Sequence, residues 1–112
     1  MTSVRFTKHK DGSYRSFEVS GHSGYSDAGS DIVCAAVSAA TELVMAILEQ
    51  FSVDFRTEIT EESARVFCEL CENAANKAKR SAIDSVLNGY SGYLKEVSAA
   101  YPKNLKCIIT EI

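Results

Sequence analysis

Much that would point to a common function is missing from this sequence. Lysine and arginine number 12 against 15 acidic residues, a net charge of −3. The chain therefore lacks the basic excess with which nucleic-acid binders neutralise phosphates, and no direct nucleic-acid contact is expected. The opening Met1-Thr2-Ser3-Val4-Arg5 leads into alternating residues rather than an apolar core, so no signal peptide is expected. The longest apolar region, Ile32 to Leu48, is interrupted by Ser38, Thr41 and Glu42. It reads as too short and too polar to span a bilayer, and no membrane partner is expected. Without export, the four cysteines should be reduced thiols in the cytoplasm. No internal repeat, linker or low-complexity segment divides the 112 residues, which read as one domain, 1–112, with a modest core.

Metal chemistry is also short of ligands. Cys68-Glu69-Leu70-Cys71 has the spacing of zinc or redox pairs, but no second pair matches it. On a strand, residues three apart face opposite ways, so these thiols would diverge. They read as packing, as does Cys107, and neither a metal nor a cofactor is expected. There are only two histidines. His9 lies beside the Asp11-Gly12 turn between Lys8 and Lys10 and reads as solvated. Any imidazole chemistry falls to His22.

What is present is concentrated between Gly21 and Ser38. Three of the six glycines, Gly21, Gly24 and Gly29, lie in one short loop. Glycine gives up more backbone freedom on folding than any other residue, so a loop this rich in it serves a site or a motion more readily than packing. The loop runs into an apolar helix. If Ser30 or Asp31 is the N-cap, Cys34 occupies the third or fourth helical position. Unpaired amides and the helix dipole favour negative charge there. A free thiol has a pKa of about 8.5, and such surroundings lower it. His22, twelve residues upstream across the loop, could reach Cys34 as ion-pair partner or base, and the helix-start amides could hold the oxyanion of a tetrahedral intermediate, that of Cys34 included. The bland alternative is a small buried cysteine and a loop histidine.

The run Gly21-His22, Tyr25, Gly29 and Asp31-Ile32-Val33-Cys34-Ala35-Ala36-Val37-Ser38 closely resembles the ribosomal-processing cysteine protease family of bacteria (Prp). The resemblance implies a small cytoplasmic endopeptidase, usually dimeric, that removes a short N-terminal extension from a large-subunit ribosomal protein. It places the family's catalytic histidine on His22, its nucleophile on Cys34, its nearby acidic residue on Asp31 and its helix serine on Ser38. It also implies apolar or aromatic substrate residues before the cut.

By helical spacing Asp31, Ser38 and Glu42 share the Cys34 face. Asp31 can cap the helix, at about 1 kcal/mol, or bond the His22 imidazole and fix its tautomer; the two roles are compatible. Ser38 can orient a backbone or substrate group, or bond back to the Cys34 carbonyl. Glu42 reads as too far along to touch the chemistry. Gly21, Gly24 and Gly29 would let the loop close over a peptide, with Tyr25 as a contact or as ordinary loop packing.

Alternation marks strands at Thr2–Lys8 and Tyr14–Ser20 around the Asp11-Gly12 turn, and at Ser52–Ile59 and Ala64–Leu70 around a polar turn. A final strand follows at Leu105–Ile112. The first helix should run from Ser30 or Asp31 to Gln50. Its early turns are apolar all round, more than one small domain can bury, so a homodimer is expected. Residues 72–80 are polar and read as a loop or a frayed helix start, with Lys77, Lys79 and Arg80 on a solvated face. The second helix, Ser81 to Ala100, has an apolar stripe at Ile83, Val86, Leu87, Tyr90, Leu94, Val97 and Tyr101. Its Gly89 and Gly92 could admit close packing or a groove, and the lone Pro102 ends it. The expected fold is α+β, a mixed sheet of about five strands with two helices in the order β-β-α-β-β-α-β. The expected activity is that of a cysteine endopeptidase, and the alternative is a non-catalytic ribosome-associated binding module.

Overall fold

A computed structural model describes residues 1–22, 24, 26 and 31–112. Tyr25 and Gly29, two of the expected loop residues, lie outside them. The elements run β1 (Thr2–Lys8), β2 (Tyr14–Ser20), α1 (Ile32–Gln50), β3 (Phe55–Thr60), β4 (Arg65–Leu70), α2 (Ala74–Ala78), α3 (Arg80–Ala100) and β5 (Leu105–Glu111). The strands form one sheet in the order β3-β4-β2-β1-β5. Only the β1–β5 pair is parallel, so the sheet is mixed, as expected.

Alternation gives this sheet two unlike faces. Val4, Phe6, Phe17, Cys68, Leu70 and Leu105 are buried on the face that the long helices cover. On the other face Glu18, Phe67 and Glu58 stand in one cross-strand row. Arg65 meets Glu18 there at 2.8 Å, and Arg56 meets Glu69 at 2.7 Å. Both guanidinium groups also lie over the Phe67 ring, so this half-exposed aromatic is screened by cations rather than by a second layer.

The core is aromatic at its centre. Tyr90 of α3 meets Phe17 and Phe6 edge-on, with centroids 5.1 and 5.5 Å apart. Its buried hydroxyl lies 2.7 Å from Thr41 Oγ1, which ties α3 to α1. Burial pushes this phenol well above its ordinary pKa, so it remains a neutral hydrogen-bonding group. Arg80 donates to the Tyr14 carbonyl at 2.7 Å and Asp84 accepts from the Tyr14 amide at 3.1 Å, fixing the start of α3 to β2.

The polar segment before α3 carries the extra helix α2, making three helices among the described residues where two were expected. Asn73 caps it by accepting from the Asn76 amide. The buried Asn76 amide group accepts from Asp54 N and donates to the Asp54 and Cys71 carbonyls, at 2.7–2.9 Å. One asparagine thus joins α2 to the ends of β3 and β4, an arrangement that no hydrophobic period advertises. Two of the three cations expected on a solvated face are engaged: Lys79 donates to the Ser52 carbonyl, as Arg80 does to Tyr14. His9, expected to be solvated, lies 2.8 Å from Glu72.

α1 buries one face only, through Val33, Val37, Thr41, Val44 and Leu48. Ile32, Leu43 and Ile47 are exposed. Against the sequence expectation, this 19-residue helix is long and apolar enough by composition to cross a membrane, because two hydroxyls and two carboxylates offset too little of its aliphatic surface. Core helices pass the same test, and the buried face of α1 belongs to the core of this domain. In α3, Gly89 and Gly92 face open space rather than close backbone. Gly92→Ala is therefore expected to stabilise the fold by about 0.5–1 kcal/mol, read as a rise in the urea midpoint.

Candidate active site

The site is assembled where β2 ends and α1 begins. After Ser20 the chain turns at Gly21, with φ of +83°. The Gly21 amide donates to the Ser63 carbonyl in the β3–β4 turn at 3.2 Å, and its carbonyl accepts from Thr2 Oγ1 at 3.5 Å. A Cβ there would stand 2.6 Å from the Met1 carbonyl oxygen, so only glycine fits. His22 follows immediately, exposed at the strand end. Gly24 has φ of +70°, also a glycine conformation.

Asp31 is the N-cap of α1, and its Oδ1 accepts from the Cys34 amide at 2.9 Å. Cys34 is accordingly the third residue of the helix, within the turn where the dipole is strongest. This corrects one expectation: the Cys34 N–H is taken by the cap rather than held free for an oxyanion. The capping role of Asp31 is thus observed. Asp31→Ala is expected to cost about 1 kcal/mol and to lower the melting temperature by about 4–8 °C, read by circular dichroism.

Cys34 and His22 line one groove of about 370 Å³. The α1 wall is built from Cys34, Val37, Ser38, Thr41, Glu42 and Met45, all at helical spacing. The floor is a row of apolar residues from three adjacent strands, Val19, Val66 and Ile59, paired in register. The β3–β4 turn closes the side next to Gly21 with Glu61 and Ala64. From Cys34 to Met45 the wall is about 16 Å long, at about 1.5 Å per residue. That length takes about five residues of extended peptide. Ser38 is exposed on this wall, and among the described residues its hydroxyl makes no bond back to the Cys34 carbonyl.

The four cysteines differ sharply. Cys68 is fully buried, and burial together with the neighbouring Cys71 pushes its thiol up to about 12. Burial also raises the Cys107 thiol. Cys34 is partly exposed and opens on the groove. Cys68 and Cys71 do not converge with other ligands, and no group of three or more metal-binding side chains occurs among the described residues.

A partly exposed thiol at a helix start, in one groove with an imidazole, is the constellation of a thiol protease. The family model described as cysteine protease Prp matches residues 1–106. The chain belongs to the Prp cysteine protease family. Three solved structures resemble this Prp chain in fold. A protein described as an essential ribosomal processing protease Prp from S. aureus, in complex with a covalently linked product peptide, has a TM-score of 0.86 at 18% identity. It covers 98% of this chain, which covers 100% of it. The same S. aureus protease with a substrate peptide has a TM-score of 0.82 at 17% identity, with the same coverage. A protein from Streptococcus mutans has a TM-score of 0.77 at 22% identity, covering 100% of this chain and 96% of its own. No curated protein matches the sequence. Membership in Prp makes the chain a cysteine protease and sets aside the reading of a non-catalytic module.

Proposed function

We propose that this Prp protein is a cytoplasmic endopeptidase that removes the N-terminal extension of a large-subunit ribosomal protein, with Cys34 as nucleophile and His22 as base. The observation that carries the assignment is that these two side chains share a groove whose floor is apolar and whose length suits an extended peptide. The likeness to a protease described as ribosomal-processing supports the substrate class. The row Val19, Val66 and Ile59 would receive the apolar or aromatic residues before the cut.

His22 takes the Cys34 proton, and the thiolate adds to the scissile carbonyl carbon. The oxyanion is met by helix-start amides, those of Ile32 and Val33 being the candidates now that the Cys34 amide serves the Asp31 cap. His22 then returns the proton to the departing amine, leaving an acyl-enzyme. Water, deprotonated by His22, attacks the thioester; the acid product leaves and the thiol is restored. Asp31 and Ser38 support this geometry from the helix, and Gly21 and Gly24 from the loop. Incubating the protein with an extended ribosomal protein from the same organism tests the proposal. Mass spectrometry should show a single loss equal to the N-terminal extension. Unchanged mass, or internal cuts only, would refute it.

The working form is a homodimer. Leu43 (61% exposed), Tyr93 (46%) and Ile47 (37%) lie in one apolar groove between α1 and α3, and an isolated small domain rarely leaves such a patch uncovered. Light scattering at micromolar concentration should give twice 12.2 kDa, and Leu43→Glu should reduce it to the monomer mass. A monomer in the wild type would remove the dimer.

A further inference from the structure

A second cavity, of about 610 Å³, lies at the other end of the sheet from the catalytic groove. The β1–β2 turn, the β4–α2 junction, α2 and the start of α3 form its walls. Ser13 of this cavity precedes β2 and His22 of the groove follows it, so the strand separates the two by about 20 Å at about 3.3 Å per residue. The lining is polar apart from the Cys71 thiol, and it carries three permanent cations, Lys10, Lys77 and Arg80, against two carboxylates, Asp11 and Glu72. In a chain of net charge −3 this is a local reversal of sign. The carboxylates are committed. Asp11 Oδ1 accepts from the Ser13 hydroxyl at 2.6 Å and from the Ser13 amide at 2.9 Å. These bonds, with His9 and Arg80 nearby, hold the Asp11 carboxyl below its ordinary range. Glu72 Oε1 lies 2.8 Å from His9 Nε2. The cations are not committed in the same way. Arg80 donates to the Tyr14 carbonyl at 2.7 Å, a neutral acceptor. The Lys10 and Lys77 ammonium groups have no ion pair or hydrogen bond among the described residues.

We propose that this cavity binds the polyphosphate chain of a small phosphorylated compound, at a site separate from the protease groove. Phosphate oxygens accept hydrogen bonds and carry the negative charge that the cavity leaves unanswered. A chain of phosphates suits the placement of the cations better than a single anion does. Lys10 belongs to the β1–β2 turn, Lys77 to α2 and Arg80 to the first residue of α3, so each wall supplies one. The lysines are flexible point charges that can follow such a chain, whereas Arg80, tied to Tyr14, offers a planar fork in a fixed place. The cations gather around one cavity rather than along a strip, and a chain of net charge −3 repels a long polyanion, which favours a small ligand over RNA. The polar lining gives a nucleobase or an acyl tail little to pack on, so recognition falls on the phosphates. Lys10 and Lys77 are exposed, so each pair is a surface ion pair, modest in strength and screened by salt.

The test is isothermal titration calorimetry of the full chain at about 50 mM salt, with sodium tripolyphosphate, metal-free ATP and a short single-stranded RNA as probes. One tripolyphosphate should bind per chain, ATP should match it within about threefold, and the RNA should bind more weakly than either. Lys10→Gln with Lys77→Gln should weaken tripolyphosphate about three- to fivefold, and Lys10→Glu with Lys77→Glu at least about tenfold, because repulsion is added to the lost pairs. Both lysines are exposed and without side-chain partners among the described residues, so circular dichroism should show all these proteins folded alike. Cys71 supplies an independent reading. It is partly exposed and lines the cavity, so bound tripolyphosphate should slow its labelling by iodoacetamide and leave that of Cys107 unchanged. Absence of saturable binding, or binding that neither lysine pair weakens, would overturn the site. RNA that binds more tightly than tripolyphosphate would overturn the small ligand in favour of a nucleic-acid contact.

Discussion

Cys34→Ala is expected to abolish peptide cleavage, lowering kcat by at least about 10³-fold while the protein still folds and binds peptide. The thiol supplies the bond to the substrate, and no other group in the groove can replace it. Cys68 is sealed in the core with its thiol pushed up to about 12 by burial, and Cys107 is raised in the same direction. Iodoacetamide should therefore label Cys34 first at neutral pH, with Cys68 silent until the fold opens. Peptide mapping after partial alkylation reads this directly. His22→Ala should slow labelling of Cys34 and cut turnover by a comparable factor, because it removes both the proton acceptor and the proton donor of the cycle. Equal labelling of Cys34 and Cys68, or a Cys34→Ala protein that still turns over substrate, would show that the nucleophile lies elsewhere. The sequence similarity of the motif cannot substitute for this result, since a buried cysteine at the same position would look the same in one dimension.

How far the chain can be read before folding depends on whether the signal is local. Val4 and Phe6, or Phe17 and Val19, alternate with polar neighbours, and period two is enough to place β1 and β2 at their observed bounds. Asp31 announces the start of α1 because a cap acts within three residues of itself. The five-residue helix α2 is invisible by the same logic. It exists because Asn76 satisfies Asp54 and Cys71, groups 22 and 5 residues away that no local pattern joins. The pairing of His9 with Glu72 spans 63 residues and is equally silent. The groove is hidden for the same reason: it is a two-walled object, and its extent depends on the β3–β4 turn, which the helical spacing of α1 does not contain. The helix-start amide of Cys34 illustrates the reverse case: the cap and the oxyanion role were both legible, but only the folded geometry shows that Asp31 occupies the donor.

Among the described glycines, Gly21→Ala should be the most damaging substitution, with two independent costs. The left-handed backbone at φ of +83° disfavours any side chain, by about 1–2 kcal/mol. The new Cβ would also meet the Met1 carbonyl oxygen at 2.6 Å, a backbone atom held in place by the start of β1, so relief requires moving a strand rather than a rotamer. Gly24 separates the two effects. Its φ is +70°, but a Cβ there meets nothing within 4 Å. Gly24→Ala should therefore lose only the backbone component, about 1 kcal/mol, whereas Gly21→Ala should lose about 2–4 kcal/mol by urea denaturation. The second consequence is catalytic. Gly21 is bonded to Ser63 on one side and Thr2 on the other, and His22 is the next residue, so displacing this junction displaces the imidazole. A misplacement of about 1 Å can cost about 10²-fold in rate. The loss should fall on kcat more than on KM, because the apolar floor and the α1 wall are left in place. It should also persist at low temperature, where the variant is folded. Equal stability of the two alanine variants, or full kcat in Gly21→Ala, would show that this strand end can shift without disturbing the site.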